Sequence, residues 1–187
     1  MPETPIPKGP AGGRPKARAP AGDVPPAPKA PGPVRPAHPS LSSFPVTPKV
    51  IDASGLVLGR AASLIAQRLL KGEHVVVVNA ERAVVVGGRE SILATYRESR
   101  ARGSVRKGPF YPRRPDRIFR RTVRGMLPYR HDRGREAFHR IMAYVGVPGE
   151  FASLPRETLE PARVRPSLRP PLTLGEISRL LGSVGPW

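Results

Sequence analysis

The sequence predicts an α/β domain with a central, mostly parallel four-stranded sheet flanked by helices, behind a disordered or extended, proline-rich basic N-terminal arm. Three observations carry this expectation. Two continuous β-branched runs, Val75–Val78 and Ala83–Val86, are of the kind required by strands covered on both faces. Between Leu58 and Leu70, apolar side chains recur at helical spacing, the mark of a helix lying on something flat. The composition also breaks sharply at Val50, since residues 1–49 hold fifteen of the 26 prolines.

The arm comes first in the chain. With few large apolar groups it cannot offset the entropy of ordering its backbone, about 1–2 kcal/mol per residue, so an extended, polyproline-like conformation is expected. Its cations Lys8, Arg14, Lys16, Arg18, Lys29, Arg35 and Lys49 face only Glu3 and Asp23. Such an arm can thread along RNA or serve as a solvated linker.

Folded structure is expected from Val50. Val50–Ala53 reads as a short buried strand, with Gly55 marking the turn after it. In the helix that follows, Leu58, Ala61, Ala62, Ile65 and Leu69 share a face, Arg60, Ser63, Gln67 and Lys71 lie elsewhere, and Gly72 is placed to stop it. The runs 75–78 and 83–86 are expected to build the sheet beneath. After Gly87 and Gly88, residues 89–100 read as a second helix, with Ile92, Leu93 and Tyr96 on its apolar side. A proline-interrupted stretch spans 102–115. Helices are then expected near 116–124 and 133–140, either side of a turn at Pro128, with a strand at 141–145 returning to the sheet. Residues 155–171 read as a surface linker. Thr173 and Glu176 form a capping-box pattern ahead of Ile177, Leu180 and Leu181, which predicts a short last helix. The expected division is 1–49 extension, 50–182 RNA-binding domain and 183–187 tail.

Charge points to the partner. Lys and Arg number 32 against 14 Asp and Glu, a formal net charge of +18, and such an excess repels itself unless a polyanion neutralises it. Each phosphate met by a cation releases a condensed counterion, so nucleic acid is the natural polyanion. No run of about 18 apolar residues exists to cross a membrane, and no membrane partner is expected. The chain has no cysteine, which removes disulfides, thiolate nucleophiles and Cys-based zinc sites from consideration.

The charge is concentrated. Residues 97–140 contain fifteen Lys or Arg and four Asp or Glu, or +11 of the total. Arg117, Arg120, Arg121 and Arg124 fall at i, i+3, i+4 and i+7, so four guanidinium groups line one helical face while Phe119, Thr122 and Met126 can turn inward. Like charges so arranged destabilise an isolated helix, which argues for an anion against that face. The preceding loop mixes Arg102, Arg106, Lys107, Arg113 and Arg114 with Phe110 and Tyr111. Either aromatic can stack on an unpaired base, and equally both can close over the domain's edge. Arg60, Arg130 and Arg133 complete the candidate RNA-binding cations.

Catalytic readings find little support. His38, His74, His131 and His139 show no metal-ligand spacing, and neither a metal nor a cofactor is expected. Gly55–Arg60 resembles a phosphate-binding turn but lacks the dinucleotide fingerprint and the Gly-Lys-Ser/Thr end of a P-loop. Asp52, at a strand's C-terminal end, is where α/β enzymes keep functional carboxylates. A nucleotide-binding or RNA-modifying enzyme built on residues 52–59 is therefore the alternative to a structural RNA-binding protein.

Several strings, in order, resemble one family. Ile51–Ala53, Leu58–Ser63 and Val77–Glu81 are similar to the first strand, first helix and second strand of the large-subunit ribosomal protein thirteen family in its archaeal form. Arg120–Pro128 resembles that family's most recognisable motif, followed by Arg133, Gly134 and Tyr144–Pro148. The resemblance covers roughly residues 49–182 and leaves out the proline-rich arm. It implies a non-catalytic constituent of the large ribosomal subunit, cytoplasmic, bound to large-subunit ribosomal RNA and neighbouring ribosomal proteins, and supporting assembly and translation. Binding to messenger RNA when free is a further expectation.

Overall fold

Four parallel strands form the centre of the domain, and the computed structural model describes residues 47–104, 106–108, 110–165 and 170–185. The expected arm up to residue 46 lies outside the described residues. Strand β1 (Lys49–Asp52) pairs with β2 (Val75–Val78) in register from Lys49–Val75 to Asp52–Val78. On the far side of β2 runs β4 (Ile141–Ala143), and on the far side of β1 runs β5 (Arg156–Glu157), giving the order β4-β2-β1-β5.

Alternation along these strands separates two apolar layers. Ile51, Val75, Val77, Ile141 and Ala143 face the larger core, whereas Val50, Val76 and Val78 face a smaller one completed by Tyr144 and Phe151. All four valines of β2 are fully buried, which is why its sequence is a continuous β-branched run instead of an alternation. The smaller layer is closed by α5 (Gly149–Ala152), whose Phe151 ring lies 5.4 Å from that of Tyr144.

The larger layer carries the helices. Helix α1 (Leu58–Leu70) buries Leu58, Ala61, Ala62, Ile65, Ala66 and Leu69, while Arg60, Ser63, Gln67 and Lys71 stay exposed, as the spacing predicts. It packs against α3 (Pro115–Met126) and α4 (Asp132–His139). Helix α3 begins at a proline in its first turn, a position where the missing N–H has no helical partner to lose. Its Ile118, Phe119 and Val123 are fully buried. Helix α2 (Arg89–Ala101) buries Ile92 and half-buries Leu93 and Tyr96. The last helix, α6 (Leu174–Leu180), is held by the expected capping box: Thr173 Oγ1 accepts from Glu176 N at 3.2 Å, and Glu176 Oε2 accepts from Thr173 N at 3.1 Å. Thr173→Ala is expected to cost about 1 kcal/mol, read as a lower urea midpoint with an unchanged slope.

Three expectations need correction. The run 83–86 does not join the central sheet: its β3 (Val84–Val85) pairs antiparallel with β6 (Leu172–Thr173) in a separate two-stranded sheet. The fourth strand comes instead from within the expected linker, where β5 pairs Val50 with Arg156 and Ile51 with Glu157. Its polar, exposed side chains suit an edge strand. Arg68 of α1 reaches over to form a two-armed ion pair with Glu157, which ties that edge to the helix layer. Met126 does not turn inward and is 41% exposed, because the residue that closes the core at the end of α3 is the next one, the buried Leu127.

Candidate nucleic-acid interface

From Asp52 to Val57, the strand-end turn is closed by the fold's own bonds. Asp52 Oδ1 accepts from Ser54 N at 2.9 Å, Ser54 Oγ at 2.7 Å and Asn79 Nδ2 at 3.0 Å. Burial pushes the Asp52 pKa up, but the Asn79 and Ser54 hydrogen bonds, helped by Arg156, outweigh it and hold the carboxyl below its ordinary value. The backbone N–H groups of Ala53, Gly55, Leu56 and Val57 donate to the carbonyls of Val78, Arg82, Ala53 and Ala162. A phosphate-binding turn needs such amides free. Asp52 therefore acts as a clasp between the ends of β1 and β2, with Asn79 held in the left-handed region at φ 55°.

A carboxyl with a lowered folded-state pKa stabilises the fold fully above its unfolded value and loses that contribution as pH falls through the folded value. Asp52→Asn is therefore expected to lower stability at neutral pH and to flatten the loss of stability below about pH 4. Thermal unfolding of both proteins across pH 2–7 checks this.

The arginine face of α3 is built differently. Arg117, Arg121 and Arg124 are exposed and Arg120 is half-buried. Three of the four lie over aromatic rings: Arg120 is 5.0 Å from the centre of the Phe138 ring, Arg121 is 4.5 Å from Tyr111, and Arg124 is 4.0 Å from Tyr129. Each ring is itself braced, Tyr111 edge-on to Tyr96 at 5.8 Å and Tyr129 edge-on to Phe138 at 5.6 Å. A guanidinium lying over a ring keeps its in-plane N–H groups available while its rotamers are restricted. None of the four makes an ion pair among the described residues.

Arg120 is the most constrained. Its Nε is buried without a hydrogen-bond partner among the described residues. Burial lowers its pKa, only partly countered by the Asp116 carboxylate. An arginine stays charged under such a shift, so its dehydration is already incurred before any anion arrives. The four arginines, with Pro112 and Phe138, line a groove of about 410 Å³.

The other candidate cations divide into two groups. Arg106, Lys107, Arg130 and Arg133 are exposed near this face in sequence, and Arg60 is exposed in the first turn of α1. Arg102 and Arg114 are engaged by Glu98 and Asp116, and Arg113 donates to the Gly182 carbonyl at 3.3 Å beyond α6. The structure thus gathers Arg117, Arg120, Arg121 and Arg124 into one groove and leaves Arg60 outside it. Sequence reasoning missed Tyr129 and Phe138 as backing rings, since only the packing of α4 and the turn before it brings them under α3. It also left Phe110 and Tyr111 undivided: Tyr111 is half-buried under Arg121, whereas Phe110 is 70% exposed.

The fold and this surface define a class: an α/β domain with a parallel central sheet and a cationic helix face backed by aromatic rings. Comparison gives the particular family. A family model described as "Ribosomal protein L13" matches residues 47–150. The large ribosomal subunit protein uL13 of Methanosarcina barkeri is 51% identical over 136 residues, covering 72% of this chain and 97% of the relative. The same protein of Archaeoglobus fulgidus is 49% identical, covering 73% and 88%, and that of Methanopyrus kandleri 48%, covering 75% and 92%. The chain belongs to the ribosomal protein L13 family, in its archaeal form. That family is structural and non-enzymatic.

Proposed function

We propose that this chain is a cytoplasmic constituent of the large ribosomal subunit that binds large-subunit ribosomal RNA, contacts neighbouring ribosomal proteins, and supports subunit assembly and translation. The observation that carries this reading is the groove lined by Arg117, Arg120, Arg121 and Arg124, the last three lying over Phe138, Tyr111 and Tyr129, with no ion pair to any of the four among the described residues. Phosphate oxygens satisfy what that groove lacks, and arginine's planar fork can meet them two at a time. Arg106, Lys107, Arg130, Arg133 and Arg60 add phosphate contacts around it. Arg102, Arg113 and Arg114 contribute by exchanging their present partners for phosphate. Residues 50–182 form the RNA-binding domain, and the basic extension before it and the short tail after it are tethered to that domain.

Contacts of this kind position a protein on RNA without reading its sequence. The test is the affinity of the full chain for large-subunit ribosomal RNA across a salt series. Neutralising four phosphates predicts a slope of log K against log salt of about −3 or steeper. A slope near zero would contradict the reading.

A further inference from the structure

We infer that Phe110 is a stacking platform for one unpaired nucleobase of the RNA, so that the cationic face holds a single-stranded or bulged nucleotide as well as backbone phosphates. This inference rests on the RNA-binding reading above and names the ligand chemistry of one more residue at that interface.

The loop between α2 and α3 is closed on itself by two hydrogen bonds, Gly108 N to Ser104 O at 2.8 Å and Ser104 N to Gly108 O at 3.1 Å. Gly108 has φ +76°, and a Cβ there would sit 2.9 Å from Phe110 N and 3.1 Å from Phe110 Cδ2. The backbone thus turns tightly against the base of the Phe110 ring, and only glycine leaves room for it. The next residue is fixed from the other side, since Tyr111 is pinned between Tyr96 and Arg121. With Tyr111 anchored inward, its neighbour Phe110 stays on the outside of the loop.

The result is an aromatic ring 70% exposed on a short, closed loop. A lone exposed apolar side chain is ordinary. What sets Phe110 apart is its company. Arg106 and Lys107 are exposed in the same loop, and Arg113 follows on its other side. The other large exposed apolar residues among the described residues, Val86, Met126, Leu180 and Val184, lack a flat π surface. An aromatic face among cations is the combination that binds unpaired nucleotides, the cations taking the phosphates and the ring taking the base. A neighbouring protein would meet the like charges of Arg106, Lys107 and Arg113 in the same stretch of chain, so the base is the favoured occupant.

The experiment compares wild-type protein with Phe110→Leu and Phe110→Trp for binding to large-subunit ribosomal RNA over a salt series. Leucine keeps the apolar bulk and removes the flat ring, while tryptophan keeps and enlarges it. Phe110→Leu is expected to weaken binding by about tenfold with an unchanged salt slope, because no charge is lost. Phe110→Trp is expected to bind as tightly as wild type or more so. Equal affinity of wild type and Phe110→Leu for the RNA would overturn the inference while leaving the RNA-binding reading intact. Loss of Phe110→Leu from assembled subunits with unchanged affinity for the naked RNA would overturn it too, assigning the ring to a protein neighbour. Failure of wild-type protein itself to bind would sink the reading on which the inference rests.

Discussion

Replacing Arg117, Arg121 and Arg124 together by Gln is expected to weaken binding to large-subunit ribosomal RNA by about a hundredfold near 0.1 M salt. The physical warrant is additive: a charge-assisted hydrogen bond contributes at least about 1 kcal/mol net, and about 3 kcal/mol corresponds to two decades of affinity. The salt slope should also fall by about 2 to 3, one phosphate for each cation removed. Fold stability should move little. Two stacked cations lose their ring contacts, worth roughly 0.5–1 kcal/mol each at an exposed site. The relief of repulsion along α3 returns roughly 0.2–0.5 kcal/mol per pair. Arg120 is spared in this variant because its half-buried guanidinium also packs on Phe138, so truncating it would mix packing with binding. Filter binding and thermal unfolding on the same samples separate the two effects. Unchanged affinity with an unchanged slope would remove α3 from the interface.

Gly134→Ala is expected to destabilise the fold by about 2–3 kcal/mol, lowering the melting temperature by roughly 5–10 °C. Gly134 is buried in α4, and a Cβ there would stand 2.2 Å from Pro128 O, 2.4 Å from Pro128 C and 2.9 Å from Tyr129 N. All three obstacles are backbone, so no side chain can swing aside and the turn itself must move. That turn carries Tyr129, the ring beneath Arg124. The substitution should therefore weaken RNA binding even in the protein that remains folded. Gly125→Ala is the control. Nothing lies within 4 Å of a Cβ at Gly125, and in the last turn of α3 alanine should be neutral or raise stability by a few tenths of a kcal/mol.

The contrast between these two glycines shows where sequence reasoning reaches and where it stops. Gly134 is visible in the sequence only as part of a string, because its reason lies in a turn that packs across it. The α1 face was legible because its burial pattern is a local consequence of helical periodicity. The arginine stripe was legible for the same reason, since spacing alone puts Arg117, Arg120, Arg121 and Arg124 together. The rings beneath them were not, because Tyr129 and Phe138 lie in a different turn and helix and reach α3 only through tertiary packing.

Strand identity divides the same way. The β-branched run at 83–86 announces a strand but not its partner, and hydrogen bonds to Leu172 and Thr173 decide that it leaves the central sheet. Arg156 and Glu157 announce nothing, being exposed and polar. A two-residue edge strand is defined by its neighbour, here Val50 and Ile51 of β1, rather than by its own side chains. The turn at Asp52 illustrates the converse: a carboxylate where enzymes keep theirs becomes, once Asn79 and Ser54 are in place, a structural acceptor through Oδ1.

The proposed docking of the α3 face on large-subunit ribosomal RNA can be read from sedimentation of a lysate on sucrose gradients at low and high salt, with the protein followed by immunoblot. Co-migration with the large subunit is expected to survive the high-salt wash for wild-type protein and to be lost in that wash for the Arg117, Arg121 and Arg124 triple variant. Wild-type protein at the top of the gradient in both salts would contradict it.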